Sequence, residues 1–381
     1  MTDVYPIRIA SISDIHLGHK RNKTENIIAN LNKYLSNDAF MSTLDLLFFA
    51  GDVFDELLDL PNVDVGKIDL WVARVLKLAY KHNVQVCVLE GTPSHDRGQS
   101  NRFLIVNAIF SHLTNFTANL TYVDTLSIIH LERFDLNVLF VPDEWGPSAE
   151  DTLDQVRLLM RQKNLTQVDL AIMHGLFPHQ LDVDIPHLSR HDNVAYTALV
   201  KYFISIGHIH TFSQFDNINA QGSFDRLSHN EEEAKGFIRA EINADGTYNV
   251  TFIENKTAAT FKTITCDRDS VTENLLWIDE QTKGLRTGSF CRIEAHYQNP
   301  IHSNMAVIKE RWPCFTWTEI KRGKEKKETK VAIDHKNVYV PIVLDRVNLP
   351  NQLLDRVHRL DIPHSVKDHC CLLMAELTGV T

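Results

Sequence analysis

The chain has 381 residues, of which 44% are hydrophobic and 23% are charged. These fractions are typical of globular proteins, and they exclude a largely disordered chain and a fibrous repeat. With 39 basic and 49 acidic residues the net charge is −10. This charge excludes a protein that binds nucleic acid mainly through an overall positive charge.

Membrane and secretion signals are not expected in this sequence. A membrane helix needs about 18 consecutive apolar residues, and no run approaches that length. The start of the chain has no basic patch followed by an apolar stretch, as a secretory signal would. The six cysteines have no CxxC spacing, which argues against a zinc ribbon and fits a reducing compartment. We therefore expect a soluble cytoplasmic enzyme with no membrane partner.

The first two-thirds of the chain alternate between strand and helix patterns. Short apolar runs rich in β-branched and aromatic residues predict buried strands at 7–12, 44–49, 84–89, 138–141, 168–173 and 202–206. Helical periodicity follows several of them, at 26–35, 68–80, 103–113 and 149–160. This alternation predicts an α/β fold. After His210, alternating residues at 236–242 and 248–253 predict antiparallel strands that complete the sheets.

A second pattern begins near residue 255. It contains predicted strands at 261–265, 289–296 and 315–320, and predicted helices at 271–279 and 304–311. We therefore expect a catalytic domain at 1–254, a small α+β capping domain at 255–345 and a C-terminal segment at 346–381. The basic run at 321–330 is interpreted first as a solvated loop and second as a phosphate contact. Leucines at helical spacing within 353–377 fit either a core helix or a docking element.

Acidic and histidine side chains follow five of the predicted strands. Asp14 and His16 follow the first strand, and the later strand ends carry Asp52 with Asp55, then His95 with Asp96, then His174, and finally His208 with His210. The carboxyl ends of strands are where α/β sheets build their sites. Ionisable groups at buried strand ends need a partner that offsets their desolvation, and a metal pair would supply one.

The ligand types narrow the choice of metal. Carboxylates and imidazoles without cysteine favour manganese, iron or zinc in an open site over a closed structural zinc site. Two metals bridged by one carboxylate can orient a phosphoryl group and activate water. Asp52 is the central carboxylate of the series and is the natural bridge.

The ordered series over residues 7–254 resembles the calcineurin-like metallophosphoesterase superfamily. Within it, the segment Gly222-Ser223-Phe224-Asp225-Arg226, followed by Glu231 to Glu233 and Lys235-Gly236-Phe237, resembles the SbcD-type nuclease subunits of DNA double-strand-break repair exonucleases, including bacteriophage versions. The resemblance implies a four-layer α/β/β/α sandwich with a capping domain that contacts DNA. It also implies two divalent metals, most simply Mn²⁺ with Mg²⁺ or Fe²⁺ as alternatives, an SMC-like ATPase partner and a homodimer. The setting would be a bacterial cell or a phage-infected host.

Carried over residue by residue, the resemblance implies two overlapping ligand sets. Asp14, His16, Asp52 and His210 would hold one metal, and Asp52, His174 and His208 would hold the other. His95 would protonate the leaving 3′-oxygen or stabilise the transition state, with Asp96 orienting its ring. Asp55 would position His95 or the substrate, or simply finish a turn.

The third motif departs from the family pattern. The family usually has Gly-Asn-His-Asp, in which the asparagine oxygen binds the second metal, and this chain reads Gly91-Thr92-Pro93-Ser94-His95-Asp96. We expect Ser94 to take the ligand position, or Thr92 after adjustment of the loop. Three consequences are left open: the second metal binds weakly, the enzyme requires a high manganese concentration, or activity is lost.

Several nearby residues have simpler interpretations. His179, His187 and His191 are expected on the rim of the site, and Arg97, Gln99 and Asn101 are expected to act as helix caps. Arg226 and the run Glu231 to Glu233 are expected in a solvated turn. Cys370 and Cys371 are expected to be structural.

The leading functional hypothesis is a metal-dependent DNA nuclease, acting as an exonuclease, an endonuclease or both in repair, recombination or replication. A phosphomonoesterase or cyclic-nucleotide phosphodiesterase on the same scaffold is the alternative enzyme, although the region after residue 255 argues against it. A scaffold subunit with a decayed site is the non-enzymatic alternative, supported only by the missing asparagine.

Overall fold

The first sheet contains six strands in the order β12-β11-β1-β2-β3-β4. The computed structural model describes residues 5–59, 62–114, 116–181, 189–323 and Lys367. The strands are β1 Ile7–Ile12, β2 Leu46–Ala50, β3 Gln85–Leu89, β4 Leu120–Val123, β11 Gly236–Ile242 and β12 Tyr248–Glu254. β1 to β4 are parallel neighbours, while β11 is antiparallel to both β1 and β12. β2 and β3 are buried along their whole length, as strands inside parallel sheets usually are.

The second sheet also contains six strands, in the order β5-β6-β7-β8-β10-β9. They are β5 Ser127–Leu131, β6 Leu136–Val141, β7 Val168–His174, β8 Val200–Gly207, β9 Ser213–Phe215 and β10 Ile218–Ala220. β6, β7, β8 and β10 are parallel, and β5 and β9 form antiparallel edges. β4, β5, β9 and β10 were not predicted, because they are short and three of them lie at sheet edges, where apolar runs are weak.

The helices of this region are α1 Thr24–Leu31, α2 Asp38–Met41, α3 Val63–His82, α4 Arg102–Thr114, α5 Ala149–Gln162 and α6 Asn193–Leu199. The long helix α3 begins at Asn62, whose side chain accepts a hydrogen bond from the Asp64 amide, and ends at Asn83 in a left-handed conformation. α5 begins at Ser148, whose side chain accepts from the Asp151 amide. These caps set both ends of α3, which begins before the predicted 68–80 pattern, and the start of α5, which agrees with the predicted 149–160 pattern.

Three apolar clusters show how the helices and sheets pack. One cluster contains residues of both sheets, including Phe48 of β2 and Phe140 of β6. A second joins the first sheet to α1, α3 and α4 around Phe49 and Trp71. A third joins the second sheet to α5 and α6 and contains Ala171 and Met173 of β7. The two sheets therefore pack face to face with helices on their outer faces, which confirms the predicted α/β class.

A third, three-stranded sheet has the order β13-β14-β15. Its elements are β13 Phe261–Thr265, α7 Val271–Thr282, β14 Phe290–His296, α8 Met305–Arg311 and β15 Thr316–Arg322. All five were predicted within a few residues. Both strand pairs are parallel, so the described part is a βαβαβ unit and the α+β expectation is wrong for it. A helix follows each of the first two strands and carries the chain back across the sheet, so the next strand runs in the same direction as the one before it.

The described residues from 5 to 323 belong to one compact unit. The expected boundary at 345, most of the basic run at 321–330, the leucines within 353–377 and the pair Cys370–Cys371 lie outside the described residues. Within the described part of the chain, every helix is too short or too polar to cross a membrane.

Candidate metal centre

The predicted site residues meet where the parallel strands of the two sheets end. β1 leads to Asp14 and His16, and β2 leads to Asp52. β7 ends at His174, and β8 leads to His208 and His210. The two sheets touch at this point, because His174 Nδ1 lies 2.7 Å from the Ala50 carbonyl oxygen of β2. The strand topology thus assembles residues that are far apart in the chain.

The backbone at these residues is strained. Asp14, His16 and Asp52 have φ values of 50°, 53° and 50°, and His208 has a φ of 104°. Such left-handed conformations are uncommon for residues other than glycine, and each costs about 1–3 kcal/mol. Strain of this kind is concentrated at functional sites, because the surrounding structure must hold it in place.

One group of potential ligands consists of Asp14, His16 and His210. His16 Nε2 lies 3.1 Å from His210 Nε2, and His210 Nε2 lies 3.9 Å from Asp14 Oδ1. Asp14 is fully buried, and its Oδ1 accepts a hydrogen bond of 2.9 Å from the His208 amide. Two imidazole nitrogens at this separation need a hydrogen or a metal ion between them, because two facing lone pairs repel each other.

A second group consists of Asp52, His174 and His208. His174 Nε2 lies 3.3 Å from Asp52 Oδ1. The two groups adjoin at Asp52, because its other oxygen, Oδ2, lies 3.9 Å from His16 Nε2. Asp52 therefore faces one histidine from each group, in the position expected of a bridging carboxylate.

His174 provides the clearest test of whether a metal fits. A carbonyl only accepts hydrogen bonds, so the contact with Ala50 means that His174 Nδ1 carries the hydrogen. The Nε2 lone pair then points toward Asp52, and this fully buried nitrogen has no hydrogen-bond partner. A buried, unsatisfied lone pair beside a carboxylate is the arrangement of a metal ligand whose tautomer is held by a backbone acceptor. These His/Asp clusters can therefore hold a metal ion.

The electrostatics of the site reflect the same arrangement. Burial by itself raises the pKa of Asp52, but the charges of His174 and His16 outweigh it, so the pKa is lowered. For His174, burial lowers the pKa, and Asp52 more than reverses this, leaving the pKa well above its ordinary value. Positive charge beside Asp52 is therefore favoured, and a bound cation would supply it.

His95 and Asp55 lie beside the first group. His95 Nδ1 lies 2.7 Å from the Asp55 carbonyl oxygen, and its ring contacts His16 edge to face at 5.0 Å. The Asp55 carboxylate lies 3.1 Å from His16 Nδ1. Asp55 thus positions His95 through its backbone, as one of the predicted alternatives stated, and His16 through its side chain.

Asp96 does not orient the His95 ring, so that expectation is wrong. Its carboxylate is fully buried and accepts hydrogen bonds of 2.8 Å from the amides of Phe54 and Gly91. Burial, together with the charges of Asp52 and Glu90, raises the pKa of Asp96 to about 8. Asp96 therefore joins the loops after β2 and β3, and the backbone of Asp55 takes over the expected role.

Thr92, and not Ser94, lies in the second group. The Thr92 amide donates to Asp52 Oδ1 at 2.6 Å, and its hydroxyl lies 3.3 Å from Asp52 Oδ2. Ser94 is exposed on the loop, and its carbonyl accepts from Arg97. The turn that begins at Pro93 carries Ser94 outward, so Thr92, directly after Gly91, is the residue beside Asp52.

Gly91 makes this close approach feasible. A Cβ atom on Gly91 would overlap the backbone nitrogen and Oδ1 of Asp52. Any larger residue would push the loop after β3 away from Asp52.

Two carboxylates beside the site were missed by the sequence reasoning. Asp143, which follows β6, lies 3.3 Å from His208 Nδ1 and 3.0 Å from the Thr92 hydroxyl. Glu231 lies 3.2 Å from His210 Nδ1 and 3.3 Å from the buried Lys235 Nζ. Asp143 could have been suspected because it also follows a predicted strand, whereas nothing in the local pattern distinguished Glu231 from its acidic neighbours.

The expectation of a solvated turn is therefore wrong for Glu231. Its side chain is only 13% exposed. Burial raises its pKa, but His210 and Lys235 outweigh burial and lower the pKa to about 2. Arg226 does belong to a turn, since it donates to the carbonyls of Glu232, Glu233 and Ala259.

The remaining candidates lie at the periphery. His179 contacts Asn193 and stacks on Phe177 and Phe215, and His187 lies outside the described residues. His191 is buried, and burial lowers its pKa to about 4. Its ring lines a cavity of about 400 Å³ together with Asp143 and His208. Gln99 binds the backbone of Glu56 and Leu58 and so holds the loop before α3.

Comparisons with known proteins add little to this geometry. No family model matches the chain, and no curated protein matches it. Among 38 similar chains from solved structures, one crystal structure is 11% identical, with 65% of this chain and 99% of the other covered at a TM-score of 0.35. A similarity of that size carries no argument, so any functional conclusion must come from the site itself.

Proposed function

We propose that the chain is a two-metal phosphodiesterase of the calcineurin-like metallophosphoesterase type and that it cleaves DNA. The packing of two helix-covered sheets is consistent with the four-layer sandwich of that superfamily. The observation that carries the proposal is the meeting of two ligand groups at Asp52, one with Asp14, His16 and His210 and the other with His174 and His208.

The donor set supports two hard or borderline divalent cations, with Mn²⁺ preferred. It consists of carboxylates and imidazoles, and the cysteines Cys87, Cys266 and Cys291 are buried in strands and loops elsewhere. When bound, such ions would neutralise charge on a phosphodiester and activate water. The protein's part is to hold the ligands at strained backbone positions, so that little reorganisation is needed during the reaction.

His95 is the proposed general acid. Because its Nδ1 hydrogen is donated to the Asp55 carbonyl, Nε2 is the atom left to give a proton to a leaving 3′-oxygen. The ring lies against His16 and is only half-buried, so a substrate bound at the first group can reach it. Asp55 links the two histidines, since its backbone carbonyl contacts His95 Nδ1 and its carboxylate lies 3.1 Å from His16 Nδ1.

DNA is proposed as the substrate on the basis of the sequence resemblance and the additional βαβαβ unit. A small-molecule esterase has no need of a separate unit that could hold a duplex. The basic run that begins at Lys321 and Arg322 would supply local positive charge on an otherwise acidic protein. An SMC-like ATPase partner and a homodimer are proposed from the resemblance alone.

The test is cleavage of end-labelled linear duplex and single-stranded DNA by the full chain with Mn²⁺, with Mg²⁺ and with a chelator. His95→Ala is compared with His130→Ala, a histidine on β5 that pairs with Asp135 far from the site. We expect Mn²⁺-dependent products that disappear in His95→Ala, while that variant still binds Mn²⁺, and persist in His130→Ala.

Other outcomes redirect the assignment. Hydrolysis of a small phosphodiester or monoester without DNA cleavage would support a small-substrate phosphoesterase, for which the cavity beside His208 is large enough. Absence of bound metal in the purified and Mn²⁺-loaded chain would contradict the proposal and support a decayed scaffold.

A further inference from the structure

We propose that Asp143 replaces the missing asparagine and supplies an oxygen ligand to the second metal. The inference rests on the proposed two-metal centre and concerns a residue outside every motif of the sequence. Asp143 follows β6, a strand that contributes no other residue to the ligand groups. In this chain the second metal would thus gain a carboxylate from a neighbouring strand in place of a neutral amide.

The first step of the argument is position. The Thr92 hydroxyl lies 3.0 Å from Asp143 Oδ2, 3.3 Å from Asp52 Oδ2 and 3.4 Å from His208 Nδ1. Asp143 Oδ2 lies 3.3 Å from the same His208 nitrogen. The carboxylate of Asp143 therefore lies within 3.3 Å of both Thr92 and His208, beside the second group.

The second step is the number of hydrogens that can be donated to the two carboxylates. Thr92 has one hydroxyl hydrogen and can give it to only one of the two carboxylates at a time. His208 Nδ1 can donate one more hydrogen at most. The two outer oxygens have donors of their own, since Asp52 Oδ1 accepts from the Thr92 amide and Asp143 Oδ1 accepts from the Glu144 amide. The two Oδ2 atoms, on side chains only 3% and 11% exposed, share the hydrogens of the Thr92 hydroxyl and of His208. A divalent cation would offset the charge of the two largely buried carboxylates.

The third step is an independent observation that indicates a metal-coordinating residue. His174 Nε2 is fully buried, has no hydrogen-bond partner and points toward Asp52 on the other side of the cluster. A buried imidazole nitrogen without a hydrogen bond on one side and a largely buried carboxylate on the other are the donor types of a cation site.

The alternative is that Asp143 only orients His208 by accepting its Nδ1 hydrogen. An acceptor of that kind influences a metal indirectly, and its removal usually lowers metal affinity about 10–100-fold. A ligand, in contrast, must contact the ion itself. The experiment therefore needs a structural readout as well as a binding constant.

Binding is measured first, by titration of the chelator-treated full chain with Mn²⁺ and by metal content after dialysis. We expect two ions per chain for the native protein and one for Asp143→Ala. Asp143→Asn, which restores an amide, should keep two ions, the second bound at least about 10-fold more weakly because the negative charge is lost. Glu144→Gln makes the same acid-to-amide change one residue away at an exposed position and should leave both sites unchanged.

Crystals of the native chain with Mn²⁺ then locate the ions by anomalous scattering, which requires no variant. We expect the second peak to contact an Asp143 oxygen together with Asp52, His174 and His208. A second peak that contacts Thr92, or that leaves Asp143 bound only to His208, would overturn the inference. So would an Asp143→Ala variant that folds and binds two ions with unchanged affinity.

Failure of this inference is distinguishable from failure of the proposed function. If the native chain binds no Mn²⁺ or only one ion, the two-metal centre itself is wrong. If the native chain binds two ions and Asp143→Ala does too, only the role of Asp143 is wrong.

Discussion

Glu231 is expected to control both the metal affinity and the acid stability of this protein. Its carboxylate accepts the Nδ1 hydrogen of His210 at 3.2 Å, which leaves Nε2 facing Asp14 and His16. Removing such an acceptor typically weakens metal binding about 10–100-fold. We therefore expect Glu231→Ala to weaken Mn²⁺ binding at the first group by that factor.

The stability effect follows from the pKa of Glu231 in the metal-free protein. The pKa is lowered from 4.5 to about 2, because His210 and Lys235 outweigh burial. This difference corresponds to about 3 kcal/mol of folding free energy. Since the folded pKa lies below the unfolded one, the contribution is complete above about pH 5 and is lost as the pH falls toward 2.

His210 sets the upper end of this pH range. Burial lowers its pKa, but Glu231 and Asp14 raise it above the ordinary value. The stability that a raised pKa gives is complete below about pH 6.5 and is lost as the pH rises through the folded pKa. The interaction between Glu231 and His210 should therefore stabilise the metal-free chain most between about pH 5 and 6.5.

The assay is urea unfolding of the chelator-treated chain at pH 6 and pH 3. We expect Glu231→Gln to lower the free energy of unfolding by up to about 3 kcal/mol at pH 6 and by about 1 kcal/mol at pH 3. Glu232→Gln, at an exposed position in the same run, is the stability control. Glu233→Gln is the metal-binding control, because Glu233 contacts Lys235 at 2.6 Å and Thr211 at 3.3 Å but not His210. Equal losses in Glu231→Gln and Glu232→Gln at both pH values would refute the reasoning.

Three further changes test the site and the fold. Asp52→Ala should abolish the binding of two ions, as measured by metal content, because Asp52 belongs to the second group and its Oδ2 lies 3.9 Å from His16 of the first; retention of both would contradict the bridge. Gly91→Ala should lower the melting temperature, since its Cβ would overlap Asp52, whereas Gly66→Ala in α3 meets open space and should add about 0.5–1 kcal/mol of stability. Alkylation followed by peptide mapping should modify the exposed Cys314 well before Cys87, whose thiol pKa burial raises to about 12; the reverse order would contradict the packing of β3.

The sequence predicted the elements that carry strong local patterns. The apolar runs of β2, β3 and β7 and the amphipathic helix α5 were visible because buried strands and one-sided helices have characteristic periods. The side chains at the strand ends were predicted for the same reason, since each follows an apolar run directly. Even the βαβαβ unit was predicted element by element, although its parallel strand order was not, because strand direction depends on pairing and not on composition.

The tertiary structure decided what those residues do. Asp96 follows His95 directly but binds the amides of Phe54 and Gly91, because the loop after β3 folds against the loop after β2. Thr92 lies beside Asp52 and Ser94 lies outside, because the turn that begins at Pro93 carries Ser94 away from the site.

Asp143 and Glu231 reach the site from elements with no motif of their own. A sequence determines which groups are available and where each strand ends. The packing of two sheets against each other determines which of those groups come within 3 to 4 Å, because such contacts join residues that no local pattern connects.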